Sequence, residues 1–205
     1  KEVLEVLHQL NDLDDLVFYD DINDNVPEKL FGQFPILKTI QEATNYFKTI
    51  DNRFTIGIGN PVLRKQLFDK FTAIGGEFTS IISPLATIGN YGNRIENGCN
   101  IMTGTVLTAD ILIKKGTLIN LNCTIGHDSE IGDFVELSPG VHISGNCKIG
   151  DYSVFGTNAS LLPNLTIGKN VIVAAGAVVI ENVPDNCLVA GIPAVIKKQL
   201  IPLAF

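Results

Sequence analysis

The stretch LINLNCTIGHDSEIGDFVELSPGVHISGNCKIG, residues 118–150, places a large apolar residue at every sixth position: Ile119, Ile125, Ile131, Leu137, Ile143 and Ile149. Stepping outward by six extends the series from Ile95 to Val179 through Ile101, Leu107, Ile113, Phe155, Leu161, Ile167 and Val173 without a polar interruption. In a chain that is 45% hydrophobic, fifteen such positions in a row have chance odds well below roughly one in ten thousand, so six is a structural period. An α-helix needs apolar spacing near 3.6 and a lone strand needs alternation. The residue two before each marker is small or β-branched at Thr105, Thr117, Ser129, Val141, Ser153, Ala159, Val171 and Ala177, and glycine often follows the marker, as at Gly126, Gly132 and Gly150. Two inward side chains and a corner per six residues describe a short flat strand and a bend. Three such units close a triangular coil, and coils stack about 4.8 Å apart through backbone hydrogen bonds, which makes residues eighteen apart neighbours.

The rest of the composition narrows the class. A net charge of -7 and no basic cluster argue against a phosphate-backbone binder. The longest apolar run, near residues 171–180, falls short of the roughly 20 residues that span a bilayer, and no cationic leader opens the chain, so a soluble, cytoplasmic protein is expected. Cys99, Cys123 and Cys147 recur at intervals of twenty-four in the small inward position, on different walls of different coils, where they are poorly placed to pair. With Cys187 expected in a separate tail segment, all four read as free core thiols.

The front third lacks the period. Helices are expected at 1–10, near 38–48 and from Pro61, with strands at 16–19 and 53–58, an α/β pattern with a parallel sheet. Such sheets take ligands at the carboxyl ends of their strands. Two features stand there: the Asp20-Asp21 pair, which by itself reads more often as a solvated turn, and Gly57-Ile-Gly-Asn60, which opens a helix whose free amides suit an anion.

The repeat is interrupted chemically at His127-Asp128. Both follow Ile125 at the corner, where side chains leave the prism, and their neighbours one coil away are Ala109 and Gly145, which predicts empty space above and below the imidazole. Imidazole titrates near neutrality and can take the proton as an amine attacks a thioester, and an adjacent carboxylate stabilises the imidazolium. On residues alone the pair also reads as a surface histidine beside a chance acid.

The hexapeptide run, over roughly residues 80–195, resembles the left-handed β-helix acyltransferases. Together with the α/β front it resembles the bacterial nucleotide-sugar acetyltransferases related to sialic-acid O-acetyltransferase, including the UDP-4-amino-sugar N-acetyltransferases. The resemblance implies an α/β plus all-β fold: a nucleotide-sugar-binding α/β domain over 1–78, a left-handed parallel β-helix over 79–195, a departure from right-handed crossovers, and a tail over 196–205. It implies acetyl-CoA as co-substrate, no metal, a homotrimer with active sites between subunits, and N-acetylation of a nucleotide-linked amino sugar, in particular a 4-amino-4,6-dideoxy sugar, for surface glycan synthesis. Sugar O-acetylation is the alternative. In that family a first strand and a glycine-histidine-glycine loop precede the first helix. Here the chain opens at Lys1 in that helix, so an upstream segment is expected.

The resemblance also assigns roles. His127 matches the general base and Asp128 its partner; Asp20, Asp21, Gly59, Asn60, Asn120 and Glu136 match acceptor-side positions; Gly145, Thr157 and Ala175 match contacts to coenzyme A, which the segments Ala174-Ala-Gly-Ala177 and Val189-Ala-Gly-Ile-Pro-Ala194 flank. Glu136, in Glu136-Leu-Ser-Pro-Gly140, stands where family members commonly carry histidine. The outward column on its wall, Asn100, Leu118, Glu136, Val154 and Ile172, is the most apolar of the three, so a neighbouring subunit is expected to cover it and Glu136 to reach a neighbour's His127 or to serve only the interface. Two rival readings remain: a zinc β-helix enzyme, for which His127 and His142 are too few once His8 is set apart in the front third, and a non-catalytic nucleotide-binding scaffold.

Overall fold

A computed structural model of the chain describes residues 1–23 and 25–204. The six-residue period becomes a parallel β-helix of two-residue strands: β6 (Ile81–Ile82), β7 (Thr87–Ile88), β8 (Arg94–Ile95), then β9 to β22, which begin every six residues from Asn100 to Val178. They stack into three walls. Wall 1 carries β6, β9, β12, β15, β18 and β21; wall 2 carries β7, β10, β13, β16, β19 and β22; wall 3 carries β8, β11, β14, β17 and β20. The register is eighteen residues, with Thr124 against His142 and Ile125 against Ile143. All the period markers from Ile101 to Val179 are buried in one continuous core. Ile95 packs partly buried against it.

The ends depart from the period for a local reason. Ile81 pairs with Asn100 and Thr87 with Val106, nineteen apart, because one extra residue lies between β7 and β8, which puts Ile82 and Ile88 out of phase with Ile95. At the other end Ile172 pairs with Leu188, a sixteen-residue return. The strand it reaches, β23 (Cys187–Gly191), extends wall 1 and turns back antiparallel into β24 (Ala194–Gln199), so residues 196–199 lie in a hairpin where a tail was expected to begin. Cys187 is therefore buried in the stack and not in a separate segment. All four cysteines are free and buried. Burial pushes the Cys99 thiol up to about 12 and the Cys123 thiol up to about 11.

The front third forms α1 (Glu2–Gln9), β1 (Phe18–Tyr19), β2 (Lys29–Leu30), β3 (Phe34–Leu37), α2 (Ile40–Thr49), β4 (Arg53–Phe54), α3 (Pro61–Thr72) and β5 (Glu77–Phe78). Thr39 and Glu42 close a capping box on α2, and Asn60 caps α3 ahead of Pro61, two start signals written in the sequence. Strands β2 and β5 are two residues each, and Pro35 inside β3 weakens its strand signal, so none of the three shows in the sequence pattern. The single parallel sheet expected is two small sheets: β1 parallel to β3 with β2 antiparallel beside it, and β4 parallel to β5. A cavity of about 520 Å³ between them is lined by Leu7, Phe18, Leu37, Phe54 and Ile56. No helix among the described residues is long and apolar enough to cross a membrane.

The front third docks on wall 1. Helix α1 buries Val3, Val6 and Leu7 against Ile81, Met102 and Leu118. A run of ring contacts, Phe54 to Phe78 to Phe68 to Phe134, continues to the edge where wall 3 meets wall 1. The Asn100 amide donates to the Ile56 carbonyl at 2.9 Å and its oxygen accepts from the Thr55 hydroxyl at 2.8 Å. This corrects the expectation for the outer column: Asn100, Leu118 and Glu136 are covered by the chain's own front third, and only Val154 and Ile172 remain for another occupant.

Candidate functional site

His127 and Asp128 sit at the edge between walls 2 and 3, just after β13 (Thr124–Ile125). Gly126 is required by the stacking itself, since a Cβ there would lie 2.5 Å from the Gly145 nitrogen of the next coil. Asp128 adopts φ 58°, a left-handed corner that aspartate tolerates. This bend brings Asp128 Oδ2 to 2.6 Å from His127 Nδ1, a charge-assisted contact on side chains 68% and 60% exposed. The pairing leaves Nε2 without a hydrogen bond among the described residues. The ring lies over Gly145, where a Cβ would come within 2.8 Å of Nε2. The space foreseen on the Gly145 side is thus occupied by the imidazole itself, and the glycine serves to let the ring lie against the coil.

Two groups of predicted residues lie elsewhere. At the edge between walls 1 and 2, Thr157 and Ala175 are exposed in consecutive coils, joined by the Gly176 amide donating to the Thr157 carbonyl at 2.8 Å. The Ala174 amide donates to Val189 at 2.9 Å, so the β23–β24 hairpin tip stands beneath the same edge. Gly145 belongs to the His127 edge, one wall away. Asn120, also at the 1–2 edge, is only 6% exposed and its amide donates to the Leu137 carbonyl at 3.1 Å. That bond ties the Asn120 side chain to the next coil at this corner.

The acceptor-side residues split in turn. Asp20 accepts from the amides of Ile22 and Asn23 at 3.1 and 3.2 Å and from the Asn23 side chain at 2.7 Å, and that side-chain bond leads in holding its carboxyl below the usual range. Asp21 bonds Lys70, which holds its carboxyl low as well, and accepts from the Tyr19 hydroxyl at 2.9 Å. Both are ionised acids at the end of β1. Asn60 accepts from the Leu63 amide at 3.1 Å as the cap of α3. Gly59 lies against Glu136, whose Oε1 would be 2.8 Å from a Cβ at that position. Burial raises the Glu136 carboxyl, with Arg64 opposing part of the rise. Glu136 thus touches its own chain's 57–60 segment on wall 1, while His127 stands at the edge opposite that wall.

Sequence reasoning missed Arg64. It is 1% exposed and donates to five backbone carbonyls. The signal was present: Arg64, Phe68 and Phe71 fall at helical spacing on one face of α3, so a cation occupies a core position. Among the described residues, no three His, Cys, Asp or Glu side chains gather as a metal site.

Residues 1–71 match the PglD N-terminal domain, and residues 128–161 and 146–181 match the bacterial transferase hexapeptide of six repeats. The acetyltransferase domain of PglB from Neisseria gonorrhoeae is 32% identical over 97% of this chain and 93% of its own, with a TM-score of 0.86. WeeI from Acinetobacter baumannii is 32% identical over 96% and 93%, also at 0.86. A histidine-to-asparagine mutant of perosamine N-acetyltransferase from Caulobacter crescentus, in complex with CoA and GDP-perosamine, is 25% identical over 97% and 91%, again at 0.86.

Proposed function

This chain belongs to the nucleotide-sugar acetyltransferases of the hexapeptide-repeat superfamily, and we propose that it transfers an acetyl group from acetyl-CoA to the amino group of a nucleotide-linked amino sugar, with His127 as general base. The observation that carries the assignment is the His127 geometry: Nδ1 engaged by Asp128 at 2.6 Å, Nε2 without a hydrogen bond among the described residues, and the ring seated on a glycine at an open edge. In the step proposed, the neutral sugar amine attacks the thioester carbonyl. A C–N bond forms and the C–S bond breaks. His127 Nε2 takes the proton lost by the nitrogen and returns it to the departing thiolate, giving the acetamido sugar and free CoA. Asp128 holds the ring and stabilises the imidazolium meanwhile.

The division of labour follows the fold, with residues 1–78 holding the nucleotide through Asp20, Asp21 and the 57–60 segment, and residues 79–195 serving the transfer. The acyl donor is assigned to Gly145 and to the Thr157, Ala175 edge. One chain does not gather these groups: the acceptor segment rests on wall 1, the base stands at the 2–3 edge, and the donor positions divide between the 2–3 and 1–2 edges. That separation supports a trimer in which the edge of one subunit meets wall 1 of the next, where Val154 and Ile172 are still open. Release of CoA from acetyl-CoA, measured across UDP-, GDP- and dTDP-linked amino sugars and their hydroxyl counterparts, tests the reading, with sedimentation velocity for the trimer. Turnover confined to hydroxyl sugars, or none with any acceptor, would overturn the amine assignment.

A further inference from the structure

We propose that Arg64 is the positioning residue that fixes the 57–60 segment to the β-helix and so sets where the acceptor sits relative to the transfer site; the inference rests on the reading of that segment as part of the acceptor site. Arg64 Nε donates to the Gly116 carbonyl at 3.1 Å, Nη1 to Ile58 at 3.1 Å and to Gly59, and Nη2 to Phe134 and Val135 at 2.8 Å each. A guanidinium has five N–H groups in a fixed plane, and all are used. Two acceptors lie in the acceptor segment and three in the β-helix. Gly116 and Phe134 are stacked one coil apart at the 3–1 edge, so one rigid fork ties a loop to two successive coils.

The same geometry excludes a role in binding anions, since no N–H remains for a phosphate. It also explains Phe134, a bulky residue held at φ 53° in the left-handed region. That corner aims its carbonyl at Arg64 while its ring packs under Phe68 of α3. Desolvation lowers the guanidinium to about 10, yet at neutral pH it stays charged among its carbonyls and near Glu136. Glu136 completes the arrangement by lying against Gly59, so the segment is pulled by Arg64 and backed by a carboxylate. Lysine carries the charge but only one nitrogen, and cannot reach both bodies at once.

The test compares Arg64→Lys and Arg64→Met, the second being long and uncharged so that a folding defect in either leaves the other to decide, with Gly59→Ala as an independent disturbance of the segment. The acceptor KM of the Arg64 variants should rise at least about tenfold while the acetyl-CoA KM stays within about twofold. In hydrogen exchange, the amides of Leu63 and Arg64, which close on Asn60 at the end of the segment, should lose protection, whereas those of Gly126 and Ser144, bonded within the stack, should keep it. If Gly59→Ala raises the acceptor KM and the Arg64 variants do not, the positioning role is wrong and the acceptor reading stands. If none of the three moves the acceptor KM, the acceptor reading falls and the inference with it. A parallel rise in both KM values, with protection lost throughout the coil, would make Arg64 a general stabiliser and overturn its assignment.

Discussion

Replacing Gly145 with alanine sets a single methyl against the imidazole of His127. The added Cβ would lie 2.8 Å from Nε2, 3.0 Å from Cε1 and 3.1 Å from Cδ2, and ordinary contact begins near 3.4 Å, so Nε2 must move by 3.4 − 2.8, about 0.6 Å. Nothing else in the fold should object. Gly145 is not among the glycines with positive φ, so alanine fits its backbone, and the change reduces the freedom of the unfolded chain by an amount worth roughly 0.4–1 kcal/mol of stability. The exposed ring can swing aside at small cost. Catalysis is less forgiving: a misplacement of about 1 Å can cost on the order of a hundredfold, so about 0.6 Å should cost on the order of tenfold in kcat. The expected signature is a protein that melts at or above the wild-type temperature and turns over about ten times more slowly, read from CoA thiol release beside a thermal melt. A kcat within about twofold of wild type would refute both the ring's seat on Gly145 and the role given to Nε2.

His127→Ala should lower kcat by roughly a hundredfold or more, the usual scale for a general base, without loss of fold because the ring lies outside the core; near-normal turnover would end the assignment. Asp128→Asn keeps a residue that tolerates the left-handed corner and removes the charge, so kcat should fall by about tenfold, the rate equivalent of one charge-assisted hydrogen bond of ~1.5 kcal/mol, and a larger loss than His127→Ala would contradict the scheme. Glu136→Gln tests the buried carboxylate: a carboxyl whose folded pKa is raised stabilises the fold while protonated, and that contribution is lost as pH rises through the folded value. The variant should therefore melt above wild type at pH 7.5, with the gap closing toward pH 4; a gap independent of pH would show that Glu136 is not desolvated as described.

The β-helix was legible because every coil repeats one chemical demand, a large inward residue each six positions, so the signal accumulates from Ile101 to Val179. It failed where a coil changed length. The extra residue between Ile88 and Arg94 and the short return to Leu188 shift the phase by amounts a fixed step cannot follow, and Cys187 was misplaced for that reason. The His127–Asp128 pair could be read because a corner exposes its side chains whatever the surroundings. Glu136 could not be placed, because the column on which it lies shows an apolar face without showing which body covers it.

The three edges of the prism then acquire different duties. A β-helix interior is filled by its own side chains and offers no pocket, so chemistry must be done where a corner turns residues outward. The 3–1 edge is spent on docking, with Phe134 and the carbonyls that Arg64 holds; the 2–3 edge carries His127; the 1–2 edge carries Thr157 and Ala175. A rigid stack cannot bring two of its own edges together, so the proposed transfer, which draws on the 2–3 and 1–2 edges, calls for a second copy. The front third strengthens that requirement. By covering Asn100, Leu118 and Glu136 it fixes the 57–60 segment, proposed to hold the acceptor, on wall 1, the wall opposite the histidine edge of the same chain.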